Sequence, residues 1–223
     1  METSDRLRQA IIDGRVQTVE LIIERHPKLL KNTDTNNGWT SLHYAAFHGQ
    51  YEICKLLINK GHDKLEVSLS HDRSTALHLA ALRNRERSLH YLAQHLERSI
   101  DWKNEDHETA LMVSVAHGND PCVNLLLDFG ADIELGDESG TRPLHVAAAR
   151  GHVKTLRTLI DRGADANKPN FQGWTPADYS ATVQVQTYLH TLINDIKRNH
   201  NSATPIATSP VGSPPRTSSE QLT

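Results

Sequence analysis

Apolar residues recur along the chain with a period of 33 to 35 residues. Each period contains one short apolar run, a break and a second apolar run, which is the pattern of two short amphipathic helices joined by a turn. A period of this length is typical of a solenoid, in which each unit buries its apolar side only against its neighbours. Six copies align on one position, occupied by Leu7, Leu42, Leu77, Leu111, Leu144 and Ala177.

The borders of the predicted helices are marked by residues with particular backbone preferences. Seven residues after the aligned position comes a residue that we expect to end the first helix, because glycine, and next asparagine, tolerates a left-handed backbone. A threonine two residues before the aligned position can accept a bond from a free N–H group of that helix, and copy five has Arg142 there. The helix-ending residues are Gly14, Gly49, Asn84, Gly118, Gly151 and Gln184, and the capping threonines are Thr40, Thr75, Thr109 and Thr175.

The most regular copy runs from Gly140 to His152 and continues to Gly163-Ala-Asp-Ala-Asn167. In these features the chain resembles the ankyrin-repeat family over residues 4–196. The resemblance implies an all-α solenoid of about six helix-turn-helix repeats, which start near residues 4, 37, 72, 106, 139 and 172. The outer copies depart most from the pattern, as capping units should. In copy three, Leu96 replaces the glycine that closes the second helix, so the loop to Trp102 is the least regular part.

The chain changes character after Ile196. Residues 197–223 contain four of the nine prolines and nine serines or threonines, with almost no apolar residues. Such a segment buries too little surface to offset its ordering entropy, so we expect a disordered tail. Thr204, Ser209 and Ser213 each precede a proline and are candidate sites of proline-directed phosphorylation.

Composition excludes several classes of protein. A hydrophobic content of 37%, a charged content of 23% and a formal charge of -3 are ordinary for a soluble protein and argue against a general nucleic-acid binder. No apolar stretch is long enough for a membrane span, and the charged segment from Met1 to Asp13 does not resemble a secretory signal. Cys54 and Cys122 lie far apart in apolar runs, which predicts buried thiols in the cytosol or nucleus.

The fourteen histidines do not form a recognisable catalytic or metal site. His43, His78 and His145 follow the aligned leucine in three copies, and in the ankyrin family this histidine is structural, bonding the turn to its neighbour. No zinc-ligand spacing occurs, and residues 132–137 lack the alternation and closing glutamate of a calcium loop. No phosphate-binding glycine loop or nucleophile elbow is present either. We therefore expect a non-catalytic protein without metal or cofactor.

The ankyrin resemblance implies binding through a concave surface that is formed by the turn tips and two residues of each first helix. These two positions form an apolar row and, beside it, a basic and histidine row. Two alternatives stay open: the apolar row belongs to the core of a slightly rotated helix, or the charged tips, which include Asp72, Glu105, Asp106, Glu108 and Glu138, are merely solvated. The predicted contact residues are Trp39, Phe47, His48, Leu82, Arg83, His117, Arg150 and Trp174.

One stretch is unusual for an ankyrin repeat. Residues 37–54, with Ser41 where most ankyrin repeats have proline, and His62-Asp63-Lys64 resemble the ankyrin-repeat accessory subunits of fungal target-of-rapamycin complex 2. This resemblance implies a cytoplasmic, non-catalytic subunit of a kinase complex, recruited to the periphery of the plasma membrane, with protein partners from that complex. The alternatives are a free-standing adaptor or assembly chaperone, and an enzyme that uses the histidine-rich surface.

Overall fold

The computed structural model describes residues 3–64 and 66–202. In this part of the chain the regular elements are α-helices and two short 3₁₀ helices, with one isolated β-bridge between Lys103 and Thr109. The all-α prediction is confirmed for these residues. The α-helices are α1 (Thr3–Ile12), α2 (Val16–Arg25), α3 (Ser41–His48), α4 (Tyr51–Asn59), α5 (Ala76–Leu82), α6 (Glu86–His95), α7 (Ala110–Ala116), α8 (Asp120–Asp128), α9 (Pro143–Arg150), α10 (Val153–Asp161) and α11 (Val183–Ser202).

The helices form two layers. The first helices of copies one to five (α1, α3, α5, α7 and α9) pack on one another in sequence order, and the second helices (α2, α4, α6, α8, α10 and α11) form the other layer. The aligned leucines lie between the layers and are at most 2% exposed. Paired alanines such as Ala45-Ala46 and Ala80-Ala81 are fully buried, because a small side chain lets neighbouring helices approach closely.

The predicted helix borders are confirmed in the central copies. Thr40, Thr75 and Thr109 are the N-cap residues of α3, α5 and α7, and the Thr40 and Thr109 hydroxyls accept from backbone N–H groups three residues on. Left-handed backbone follows the first helix at Gly14, Gly49, Asn84, Gly118 and Gly151, with φ between 53° and 73°. Local capping chemistry therefore sets the length of each first helix.

Copy six departs from the predicted helix pair. Residues 176–179 form a turn instead of a first helix, and Asp178 accepts from both the backbone N–H and the hydroxyl of Thr175. The second helix begins at Val183, capped by the Thr182 hydroxyl, so too few residues remain for a first helix. Gln184 was expected to break a helix but lies inside α11, so that prediction is wrong.

The predicted domain border at residue 196 lies inside α11, which continues to Ser202. No glycine or proline interrupts residues 183–202, so the local sequence allows the helix to continue. The predicted tail otherwise falls on residues 203–223. These, and with them Thr204, Ser209 and Ser213, lie outside the described residues.

Copy three keeps the ankyrin geometry despite its missing glycine. α6 ends at His95, its C-cap residue Leu96 has a φ of −120°, and a 3₁₀ helix, Glu97–Ser99, replaces the left-handed turn. Leu96 and Ile100 are both buried and anchor this loop to the core. Copy one has the same feature after α2, where Pro27–Lys31 form a 3₁₀ helix.

Candidate functional site

The candidate contact residues lie on the first helices, directly after them (Arg83 and His117), and on the turns that precede the aligned positions. Phe47, His48 and Leu82 are half-buried, whereas Arg83, His117 and Arg150 are exposed. Phe47 and Leu82 are not part of the buried core, so the interpretation that they fill the core of a rotated helix is not supported. We call this set, together with Trp39, the inner-helix surface.

An aromatic and cationic stack connects copies two and three on this surface. The Phe47 ring centroid lies 5.0 Å from that of Trp39, and the Arg83 guanidinium carbon lies 4.8 Å from the Phe47 centroid. Trp39 also contacts Tyr44, edge to face, at 5.1 Å. A guanidinium over a ring at this distance is a cation–π contact. The stack therefore offers a rigid apolar face beside an available positive charge.

His48 lies next to this stack in an electropositive environment. Burial lowers the pKa of His48, and the nearby charges of Arg85 and Arg83 lower it further. Arg85 also donates through Nε to the main-chain oxygen of Phe47 at 3.2 Å. His48 therefore stays neutral down to a lower pH than a free histidine does.

The turns of copies four and five are acidic and face the basic row. Burial raises the pKa of Glu108, and the neighbouring carboxylates of Asp106 and Asp137 raise it further. The charges of His117 and Arg150 act on the same carboxyl in the opposite direction, so both lie within electrostatic range of it. The inner-helix surface therefore has positive charge on its helices and negative charge on these turns.

The two tryptophans at the turn tips have different environments. Trp39 is half-buried between Tyr44 and Phe47. Trp174 is 57% exposed, and its main contact is with Tyr179, whose ring centroid lies 5.8 Å away. The shared sequence position therefore does not give the two side chains the same role.

The three histidines of the repeated slot are buried and bridge adjacent repeats. Nε2 of His43, His78 and His145 lies 3.0 to 3.1 Å from a main-chain oxygen of the next copy. Burial lowers the pKa of His43 to about 4, despite its hydrogen bond to Ser74. The bonded oxygens belong to Ser74, Glu108 and Trp174.

A second set of contacts between repeats escaped the sequence analysis. In copies two to five, the side chain of the residue before the second helix donates to a main-chain oxygen near the end of the first helix of the preceding copy. Each donor lies 36 to 38 residues after its acceptor in the sequence. This nearly constant separation is the only sequence feature that the pairs share. The pairs are Gln50 with Ile12, Arg85 with Phe47, Asn119 with Ala81 and Leu82, and His152 with Ala116.

The unusual His62-Asp63 pair is buried rather than displayed. Nδ1 of His62 lies 2.8 Å from Oδ1 of Asp63, and both side chains are at most 1% exposed. Asp63 has a left-handed φ of 57° and accepts from the Ser68 hydroxyl at 2.6 Å. Burial would raise the pKa of Asp63, but the contacts with His62 and Ser68 hold it below its usual value.

Within residues 3–64 and 66–202, no group of three histidine, cysteine, aspartate or glutamate side chains could hold a metal ion. No helix in those ranges is long and apolar enough to cross a membrane. Burial raises the pKa of both the Cys54 and the Cys122 thiol to about 12, which makes each a poor nucleophile.

Family comparisons match most of the chain. A model described as "Ankyrin repeats (3 copies)" matches residues 6–67 and 64–137, and one described as "Ankyrin repeats (many copies)" matches residues 132–180. These ranges cover copies one to five and the turn of copy six. The expected repeat architecture is therefore shown by its family signature as well as by the helices.

Curated relatives give more specific similarity. The chain is 36% identical over 200 residues to the target of rapamycin complex 2 subunit AVO2 of Saccharomyces cerevisiae, which is 88% of this chain and 47% of that protein. It is 28% identical over 193 residues to mouse inversin, which is 85% of this chain and 18% of that protein. It is 40% identical over 57 residues to the rat ankyrin repeat and SAM domain-containing protein 6, which is 26% of this chain and 6% of that protein. The chain thus spans less than half the length of each.

Proposed function

The chain belongs to the ankyrin-repeat family, and we propose that it is a non-catalytic interaction subunit that binds another polypeptide across its inner-helix surface. A solenoid presents an extended concave surface that suits a long partner segment. The observation that carries this proposal is the stack of Trp39, Phe47 and Arg83, which joins two repeats outside the buried core. Aromatic and arginine side chains of this kind are enriched at binding hot spots.

The charges of the surface define the chemistry of the partner. Arg83, the residue that follows α5, and Arg150, the last residue of α9, are exposed and attract acidic groups, whereas the turns of copies four and five attract basic ones. Phe47 and Leu82 offer apolar contacts at copies two and three. The proposed ligand is an elongated segment whose apolar anchors meet these two copies and whose acidic groups face the two arginines.

The similarity to AVO2 supports a particular assembly. It extends over 88% of this chain at 36% identity, compared with 28% identity over 85% of the chain for inversin. We infer that the protein is an accessory subunit of target of rapamycin complex 2, acting in the cytoplasm and recruited with that complex to the periphery of the plasma membrane. A free-standing adaptor or assembly chaperone is the second candidate, since the ankyrin fold serves both roles equally well.

Co-purification at native size tests the assembly. The full chain, tagged and expressed at its natural level, should elute in a very large complex that contains the target of rapamycin kinase. An adaptor or chaperone would instead elute at small size or with changing partners. Replacing Phe47 with alanine should reduce recovery of the complex, while Leu21→Ala, at an exposed position of the second helix α2, should not. Elution of the unaltered chain only as a free protein would contradict the proposed assembly.

A further inference from the structure

The turns that precede the first helices are joined edge to edge. We call these turns fingers; they span residues 34–39, 70–74, 104–108, 137–141 and 170–174. Three of the four neighbouring pairs share a main-chain hydrogen bond of 2.9 to 3.0 Å, in which the later finger donates to the one before it. The bonds run from His71 N–H to the Asn37 oxygen, from Glu105 N–H to the Asp72 oxygen, and from Phe171 N–H to the Ser139 oxygen. The remaining pair, 104–108 and 137–141, is joined by the His107 and Glu138 side chains at 2.8 Å.

Each finger also has a left-handed residue directly after the acceptor position. Two of these residues are glycines covered by a ring from the next finger. A methyl group on Gly38 would come within 2.5 Å of the His71 ring, and one on Gly140 would come within 2.9 Å of the Phe171 ring. At these two junctions the later finger makes the same two contacts with the earlier one. Its main-chain N–H donates to a carbonyl, and its ring packs on the glycine that follows that carbonyl. The left-handed residues are Gly38, Arg73, His107, Gly140 and Gly173.

The last finger has the same acceptor features without an occupant. Gly173 has a φ of 85°, and a methyl group there would meet nothing within 4 Å. No hydrogen bond from another described residue reaches the main-chain oxygen of Gln172, which corresponds to Asn37 and Ser139. Phe171 and Trp174, on either side, are 77% and 57% exposed. Exposed aromatic rings close together form an apolar patch of the kind that marks interaction sites.

We propose that the last finger is a docking edge for a turn of another protein, which places an aromatic or histidine ring over Gly173 and donates a main-chain N–H to the Gln172 oxygen. The occupant is defined by what covers the equivalent sites within the chain, namely the rings and N–H groups of His71 and Phe171. This edge lies outside the rows of the first helices. The inference deepens the proposed function and depends on it only in requiring a partner chain.

Two other occupants lack the necessary chemistry. The chain's own residues 203–223 contain no aromatic residue and no histidine, so they cannot supply the ring. A second copy joined head to tail would present its first free finger, which has Asn36 at the position of His71 and Phe171. An asparagine offers no flat apolar face to a glycine. Neither of these two candidates therefore supplies the ring that the proposal requires.

A peptide copied from the chain itself can serve as the probe. A cyclic peptide of residues 168–175 presents Phe171 as it lies on Gly140, and its F171A version is the matched control. Each is titrated into the full chain while amide and indole resonances are followed by NMR. The Phe peptide should shift the amide resonances of Gly173 and Gln172 and the indole resonance of Trp174. It should bind about tenfold more tightly than the F171A peptide, since burying one ring face changes the affinity by roughly a factor of ten.

A matched pair of variants tests the location. Gly173→Asn keeps a residue that tolerates the left-handed backbone but fills the space above the finger, so binding of the Phe peptide should be lost. Gly163→Asn introduces the same change at a left-handed glycine that is equally uncovered, after α10, and should leave binding intact. Equal binding of both peptides, no shift at Gly173, or shifts centred on Phe47 and Arg83 would overturn the inference. None of these results bears on co-purification with the kinase complex, so the two proposals fail separately.

Discussion

The Nε2 atom of His43 lies 3.0 Å from the main-chain oxygen of Ser74 in the next repeat. On the other side of the ring, Nδ1 lies 3.1 Å from the Thr40 nitrogen, which donates to it. Since a carbonyl only accepts, the proton of the neutral ring is on Nε2, and Nδ1 is the acceptor. One neutral histidine thereby caps its own helix and joins two repeats. In a protonated ring Nδ1 would also carry a hydrogen, so it could no longer accept from the Thr40 N–H.

Replacing this histidine should destabilise the array. His43→Phe keeps a flat ring of similar size but loses the contacts with the Ser74 oxygen and with the N–H and hydroxyl of Thr40, leaving the Thr40 N–H without its partner. We expect the free energy of unfolding to fall by about 2 to 3 kcal/mol, since each buried neutral hydrogen bond contributes about 1 kcal/mol. Urea denaturation followed by circular dichroism measures it. His26→Phe, at an exposed loop position, is the control and should change stability little; equal losses in both variants would contradict the role of His43.

The same contact predicts how stability depends on pH. The folded pKa of His43 is about 4, below its ordinary value of 6.5. Between these values the unfolded chain binds a proton that the folded chain does not, so stability is full above pH 6.5 and falls as the pH drops to 4. The loss from this group is about 3 kcal/mol. Burial lowers the pKa of His78 and His145 too, which adds in the same direction. Denaturation midpoints between pH 7 and 4.5 should fall less steeply in His43→Phe; identical slopes would refute this assignment.

The periodic features of the fold could be predicted from sequence because they are local. The aligned leucines, the capping threonines and the glycines after the first helices act within a few residues of their own position. Copy six was mispredicted because Asp178 bonds Thr175 in a turn and Thr182 caps a helix that begins at Val183, which leaves too few residues for a first helix. The period alone does not reveal these two contacts.

The candidate site could be predicted only as a set of positions. The sequence placed Phe47 and Arg83 in neighbouring rows, but the contact between them depends on side-chain orientation across 36 residues. Trp39 and Trp174 share a sequence position, yet only Trp39 has aromatic residues on the helix that follows to cover it. The contacts from Gln50, Arg85, Asn119 and His152 were missed because their residue types differ from copy to copy.

These contacts predict a specific cost at Asn119. Its amide nitrogen lies 2.7 Å from the Ala81 oxygen and 3.3 Å from the Leu82 oxygen, both in the preceding repeat. Asn119→Leu keeps the size but removes the donor, so stability should fall by about 1 to 2 kcal/mol. Asn124→Leu is the matched control, since its amide bonds only within its own helix. Thermal unfolding of the two variants should differ clearly; the prediction fails if Asn124→Leu is the more harmful change.

The buried His62-Asp63 pair predicts a contrast with a surface ion pair. Asp63→Asn keeps the shape and tolerates the left-handed backbone, but leaves the buried His62 without its anionic partner. The expected loss is about 3 kcal/mol, since breaking a buried pair from one side leaves an uncompensated polar group. Asp128→Asn removes the partner of Arg162 on the surface and should cost under about 0.5 kcal/mol. Chemical denaturation of both variants decides, and equal costs would contradict the importance of burial.

Charge reversal on the inner-helix surface tests where the partner binds. Arg83→Glu removes the cation above Phe47, and Arg150→Glu reverses a charge near Glu108. If acidic groups of the partner face both arginines, the double variant should bind the co-purified partner at least about tenfold more weakly, because each attraction of about 1 kcal/mol becomes a repulsion. Arg157→Glu, on an exposed face of an outer helix, makes the same kind of change and should bind normally. Surface plasmon resonance at two salt concentrations measures this, with thermal unfolding to verify that the variants are folded. Unchanged affinity in the folded double variant would remove the inner-helix surface as the binding site.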